Sequence, residues 1–120
     1  MYNNDSSVGV ESDLVNSYAW DTAIVFIQEM GNNNYANKAD GNGTLKNTGT
    51  TGDEICNIYD MASNCFEWDT EYAMVTTGNN PCVFRGGYYI ASNFYTAKRH
   101  YRAVTLKYAE NSFRVVLYVK

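Results

Sequence analysis

The last nine residues, Ser112-Phe113-Arg114-Val115-Val116-Leu117-Tyr118-Val119-Lys120, alternate strictly. Phe113, Val115, Leu117 and Val119 fall on one side of an extended chain, and Arg114, Val116, Tyr118 and Lys120 on the other. Such a period excludes a helical end and demands a sheet for it to join. An opening partner stands upstream in Pro81-Cys82-Val83-Phe84-Arg85-Gly86-Gly87-Tyr88-Tyr89, whose β-branched and aromatic residues also predict a strand. Between the two lie Tyr88, Tyr89, Asn93, Tyr95, His100, Tyr101, Arg102, Thr105 and Tyr108. These residues are aromatic and polar at once. The two ends read as scaffold and this middle as a ligand-binding surface.

A chain of 120 residues is one domain, and 45% hydrophobic content supplies a core. Residues 1–15 are polar and predict an irregular lead-in, which reads as a cut inside a longer polypeptide; 16–120 form the domain. Ser17 to Met30 predicts a helix. Trp20, Ala23, Ile24, Ile27 and Met30 share its inner face, Asn16 or Ser17 caps it, and Gly31 ends it. Gly31 to Glu54 is a long polar connection, either functional or mobile. Within it Asp40 to Thr44 faintly resembles a calcium loop, although a plain turn explains it better. Ile55 to Glu71 predicts a turn followed by a short strand, and Gly78 to Pro81 a second turn.

Charge is uneven. Residues 1–84 carry twelve acids and two bases, whereas residues 85–120 carry seven bases and one acid. Mutual neutralisation within the fold explains this better than a basic face for an acidic partner. The total of −4 argues against a nucleic-acid binder. Three cysteines, Cys56, Cys65 and Cys82, make no metal knuckle. They read as buried thiols, with a Cys56–Cys82 bridge as the alternative. No signal-peptide pattern and no apolar run of membrane-spanning length occurs, so membrane insertion is not expected. Asp60 and Glu67 can meet across a turn and hold a hard cation. The competing expectation is an ion pair from Glu67 to Arg85 or Arg114. His100 stands alone, with no orienting partner in view, and reads as a packing residue rather than a catalyst.

Four segments together resemble a known family. Asn57-Ile58-Tyr59-Asp60-Met61-Ala62-Ser63-Asn64-Cys65-Phe66-Glu67-Trp68 is similar to the GLYDMxGNVWEW segment of the formylglycine-generating enzyme (sulfatase-modifying factor) superfamily. Phe84-Arg85-Gly86-Gly87-Tyr88 resembles its RGGSW, Ser112 to Val116 its GFRLV, and Tyr18 to Ala23 its WDxA helix start. The resemblance implies an α+β, C-type-lectin-like fold: a small antiparallel sheet, at least one packed helix and long irregular loops. It also implies a structural calcium held by side-chain oxygens of Asp60 and Glu67 and backbone oxygens of Ser63 and Cys65. Ser63 stands where the family has glycine, which puts the backbone there in question.

Where the enzymes carry two redox cysteines, counting from Arg85, this chain has Ala91 and Thr96. Neither can supply the thiolate that binds copper and attacks substrate. No redox cofactor and no oxidase activity are therefore expected. A non-enzymatic branch of the superfamily, the variable proteins of diversity-generating retroelements, resembles the chain better. Those proteins place hypervariable residues just before the last strand. Tyr, Ser, Asn, Thr, His, Phe and Ile are the types that adenine-directed variation reaches from an asparagine codon, and they crowd residues 88–108. The resemblance implies a non-catalytic module for a protein or glycan ligand on a cell surface, carried by a phage, a prophage or a bacterial surface. A homo-oligomer contact through the same tyrosines is a further reading.

Overall fold

Asn16 sets the first corner. Its side chain accepts from the amide of Ala19 at 2.8 Å, which caps the helix that follows. The computed structural model describes residues 9–41, 43–73, 80–103 and 105–119. In it β1 (Val10–Leu14) leads into α1 (Ser17–Glu29). Trp20, Ile24 and Ile27 are buried on the inner face of α1, as their spacing predicts, but Met30 lies 61% exposed beyond the helix end. They form a core with Val15, Tyr35, Met61 and Ala62.

A single-turn helix at Tyr35–Asn37 interrupts the long connection. The short strands β2 (Glu54–Ile55) and β3 (Ile58–Tyr59) then form a hairpin. Its two turn residues, Cys56 and Asn57, have φ of 53° and 62°, the left-handed pair that a two-residue hairpin demands. β4 (Phe66–Tyr72), β5 (Cys82–Arg85), β6 (Arg99–Arg102) and β7 (Asn111–Phe113) form a four-stranded sheet in the order β6-β5-β4-β7. It is antiparallel except for β7, which runs parallel to β4. β8 (Val115–Val119) leaves this sheet and pairs antiparallel with β1.

Three expectations need correction. The lead-in is not irregular throughout: the alternation of Val10, Ser12 and Leu14 matches that of β8, and the two strands pair from Val10↔Val119 to Leu14↔Val115. The closing strand is two strands in two sheets, broken at Arg114, whose side chain turns toward Glu67. The row Phe113, Val115, Leu117 and Val119 faces outward, and on the reverse side Val116 packs on the core. The cysteines form no bridge, and none is fully buried: Cys56 is exposed at its hairpin turn, and Cys65 and Cys82 are half-buried. The turn expected over 78–81 lies mostly outside the described residues.

Register divides the four-stranded sheet into two chemically distinct faces. Glu67, Arg85, Arg99, Tyr101 and Ser112 share one; Phe66, Trp68, Phe84, His100, Arg102 and Asn111 share the other. The first face carries an ionic layer toward α1. Arg85 is wholly buried, pairs with Asp21, donates to the Ser17 hydroxyl at 3.0 Å and reaches the Ala97 carbonyl at 3.2 Å. The single Ser17 hydroxyl proton is in turn shared between Asp69, at 2.7 Å, and Glu71. Arg99 bridges Glu71 at 2.9 Å and Asp21 at 3.0 Å. Burial alone raises the Glu71 carboxyl, but hydrogen bonds from Ser17 and Arg99 outweigh it and hold the group below its ordinary value. Arg85, Arg99 and Arg114 are thus neutralised by acids of the first 84 residues, and part of the charge asymmetry is spent inside the fold.

Candidate functional site

The second sheet face is built of rings. Phe66 lies under Tyr88 in a stacked pair at 4.4 Å and meets Phe84 edge-on at 4.7 Å and Phe94 at 5.1 Å. His100 stacks on Phe84 at 5.3 Å. Its buried Nε2 has no hydrogen-bond partner among the described residues. Burial, with Lys98 and Arg102 nearby, pushes the His100 pKa down to about 4, so it is a neutral packing ring at pH 7. The Arg102 guanidinium lies over Phe84 at 4.9 Å and Tyr108 at 4.6 Å and pairs with Glu110 at 3.3 Å.

Two loops complete the face, residues 86–98 after β5 and residues 105–110 before β7. Residues 86–98 leave β5 through Gly86 and Gly87, where the backbone runs too close to its neighbours for side chains. A Cβ on Gly86 meets the Met61 carbonyl oxygen at 2.7 Å at a φ of +87°, and one on Gly87 meets the Ala62 carbonyl oxygen at 2.2 Å. The loop is then clamped from the other side. The Tyr89 amide donates to the Asn64 carbonyl at 3.0 Å, and the Gly43 amide donates to the Tyr89 carbonyl. The Thr96 amide and hydroxyl both reach the Lys38 carbonyl at 2.9 Å. Gly41 packs so closely that a Cβ there meets the Ala91 backbone at 2.6 Å. The long polar connection is therefore a brace for the tyrosine loop.

The nine surface residues do not stand together. Tyr88, His100 and Arg102 form the ring layer, and Tyr89 is half-buried beside it. Asn93, Tyr95, Thr105 and Tyr108 are exposed on the two loops, with Tyr95 at 43% and Tyr108 at 47%. Tyr101 belongs to the opposite face of the sheet, in register with Val83. Sequence reasoning missed Phe84 and Phe94 as supports of the face. The alternation of Cys82-Val83-Phe84-Arg85 already separates Phe84 from Arg85, but nothing local reveals which face carries the loops.

Of the four residues expected around calcium, Asp60 and Glu67 have their side-chain oxygens engaged otherwise. Arg114 donates to both Glu67 oxygens at 2.8 Å and to the Tyr59 carbonyl at 2.6 Å. Asp60 accepts from the Gly49 amide at 2.7 Å and from the Thr51 hydroxyl. The Ser63 hydroxyl lies 3.2 Å from Thr51, and the Cys65 thiol lies half-buried with its pKa raised by burial and then by Glu67. Burial raises the Glu67 carboxyl and Arg114 opposes that rise. The donor set does not suit a calcium ion as placed: a guanidinium already supplies the positive charge. Among the described residues, no three of His, Cys, Asp or Glu are grouped to share a metal. Ser63 sits without strain, because the left-handed angles fall instead on Asp60 and Asn64, types that tolerate them. The redox-cysteine positions hold Ala91 and a fully buried Thr96, whose carbonyl accepts from the Trp20 indole at 3.0 Å.

Two solved structures share this architecture. Treponema denticola variable protein 1 superposes with a TM-score of 0.61 at 17% identity, over 87% of this chain and 46% of its own. CarF superposes with a TM-score of 0.69 at 17% identity, over 91% of this chain and 47% of its own. The chain thus spans a little under half the length of each, and the likeness establishes the α+β, C-type-lectin-like fold. No curated protein matches its sequence significantly. The model of the family described as "Sulfatase-modifying factor enzyme 1-like domain" matches residues 8–119, and the chain belongs to that family.

Proposed function

We propose that this chain is a non-catalytic binding module of the kind displayed on a phage particle or a bacterial cell surface. The observation that carries the reading is the division of labour around residues 88–108. Tyr88, Phe94 and His100 pack inward on Phe66, while Asn93 and Tyr95 on the braced loop 86–98, and Thr105 and Tyr108 between β6 and β7, have their side chains exposed. Tyrosine offers large, stiff contact area with a hydroxyl and only two side-chain torsions to freeze, as in antibody paratopes. Ala91 and Thr96 at the redox positions, and a neutral, half-buried histidine, support a role without chemistry. The variable protein among the structural neighbours agrees with this at the level of fold.

The test is binding to an array of bacterial and host cell-surface proteins and glycans. A target of the wild-type chain is expected to lose at least about tenfold in affinity to a Tyr95→Ala/Tyr108→Ala variant, the scale of one or two interface hot spots. The variant's melting midpoint should stay within about 5 °C, because exposed positions contribute little stability. Tyr88→Ala should do the reverse and destabilise through Phe66. Targets held equally well by the double variant would place the site elsewhere.

A further inference from the structure

No aspartate or glutamate occurs between Glu71 and Glu110, a stretch that contains the whole candidate binding face. It holds five bases, and the structure divides them sharply. Arg85 pairs with Asp21, Arg99 with Asp21 and Glu71, and Arg102 with Glu110. Lys98 and Lys107 take part in no ion pair among the described residues, and both are exposed. Lys98 closes the turn after Tyr95, its amide donating to the Tyr95 carbonyl at 2.9 Å, and Lys107 adjoins Tyr108. The two carboxylates that border the face are already held, Asp40 by Lys38 at 2.7 Å and Glu110 by Arg102. On a chain of net charge −4, the loops that carry the exposed Tyr95 and Tyr108 therefore present free charge of a single, positive sign.

We infer that the partner of this face is an acidic protein surface, recognised by Tyr95 and Tyr108 for contact area and by Lys98 and Lys107 for charge. This rests on the binding role proposed above and names the chemistry of its partner. Complementary charge on an interface rim governs encounter and the choice of partner more than final affinity. A protein suits the face better than a polyanion for two reasons. Ile90 at 61% exposed and Leu106 at 40% lie on the same two loops as the tyrosines and ask for apolar contact. Two free cations on a negatively charged domain do not supply the many phosphate or sulfate contacts that a nucleic acid or a sulfated glycan requires.

The probe is a fluorescent decapeptide of alternating Glu and Tyr, compared with the same peptide carrying Lys for Glu and with chondroitin sulfate, by anisotropy at 50 and 300 mM salt. The acidic peptide is expected to bind, the basic one at least about tenfold more weakly. Raising the salt should weaken the acidic complex several-fold, because the Debye length shrinks below the spacing of rim charges. Lys98→Ala/Lys107→Ala should reproduce that loss with unchanged melting, and Tyr95→Ala/Tyr108→Ala should remove binding as well. If the tyrosine pair matters and the lysine pair does not, the face is a binding site and the acidic partner is wrong. If the lysines matter and the tyrosines do not, the attraction is general electrostatics and the inference falls. Preference for the basic peptide, or binding of chondroitin sulfate alone, overturns it too.

Discussion

Replacing Arg114 by alanine is expected to lower the unfolding free energy by about 3–5 kcal/mol, the usual cost of stranding one member of a buried ion pair. Against a total of about 5–15 kcal/mol for a domain, that is close to unfolding it. The side chain satisfies both oxygens of the buried Glu67 and the Tyr59 carbonyl at once. Without it, burial and the neighbouring Asp60 both push the Glu67 carboxyl upward, and nothing opposes them. The native variant then holds Glu67 protonated at pH values where the unfolded chain has released the proton. A group whose folded pKa is raised above its unfolded value contributes stability at low pH and loses it as pH rises through the folded pKa. Arg114→Ala should therefore be less impaired at pH 5 than at pH 8, relative to wild type, in denaturant melts. Glu67→Leu/Arg114→Met should recover most of the loss, since a well-packed apolar pair often replaces a buried ion pair at little cost. A variant as stable as wild type at pH 8 would show that the pair is a surface contact.

Gly87→Ala should cost about 3 kcal/mol, the upper end for overpacking. The added carbon meets the Ala62 carbonyl oxygen at 2.2 Å and its carbon at 2.7 Å, and both are backbone atoms that no side-chain rotation moves aside. Relief has to come from shifting the loop that starts at Gly87, so Tyr88 should lose its stacking on Phe66. The expected signature is a lower melting midpoint together with weakened binding at Tyr95 and Tyr108. An alanine variant with unchanged midpoint and unchanged binding would mean that the loop floats free of Ala62.

Much of this frame is legible in the sequence where the cause is local. The three-and-four spacing of Trp20, Ile24 and Ile27 gives the inner face of α1, and Asn16 its start. The ion-pair alternative for Glu67 names Arg114, the residue that the structure places there. Motif order gives the family, because Asp60-to-Trp68, Arg85-Gly86-Gly87 and Phe113-Arg114 are parts of one contact region. What the sequence hides is long-range. Alternation shows that Phe113, Val115, Leu117 and Val119 share a side, not which side meets the core, and β8 turns that row outward. The break at Arg114 depends on a carboxylate 47 residues away. Val10-Glu11-Ser12-Asp13-Leu14 has too little apolar content to announce a strand until β8 lies beside it. Tyr101 reads as part of the binding surface in one dimension, and only the register of β6 on β5 sends it to the far side of the sheet.

The central claim is that stability resides in the buried ion pairs, glycine contacts and ring layer, and that the outward side chains of the two loops are free to serve a ligand. The direct measurement is the melting midpoint across a library randomised at Ser92, Asn93, Tyr95, Thr105 and Tyr108. A frame of this kind predicts that most members melt within about 5 °C of wild type, since exposed substitutions cost about 0.5 kcal/mol each way. A library whose members mostly unfold, or melt 10 °C or more lower on the scale of about 2 kcal/mol, would contradict it.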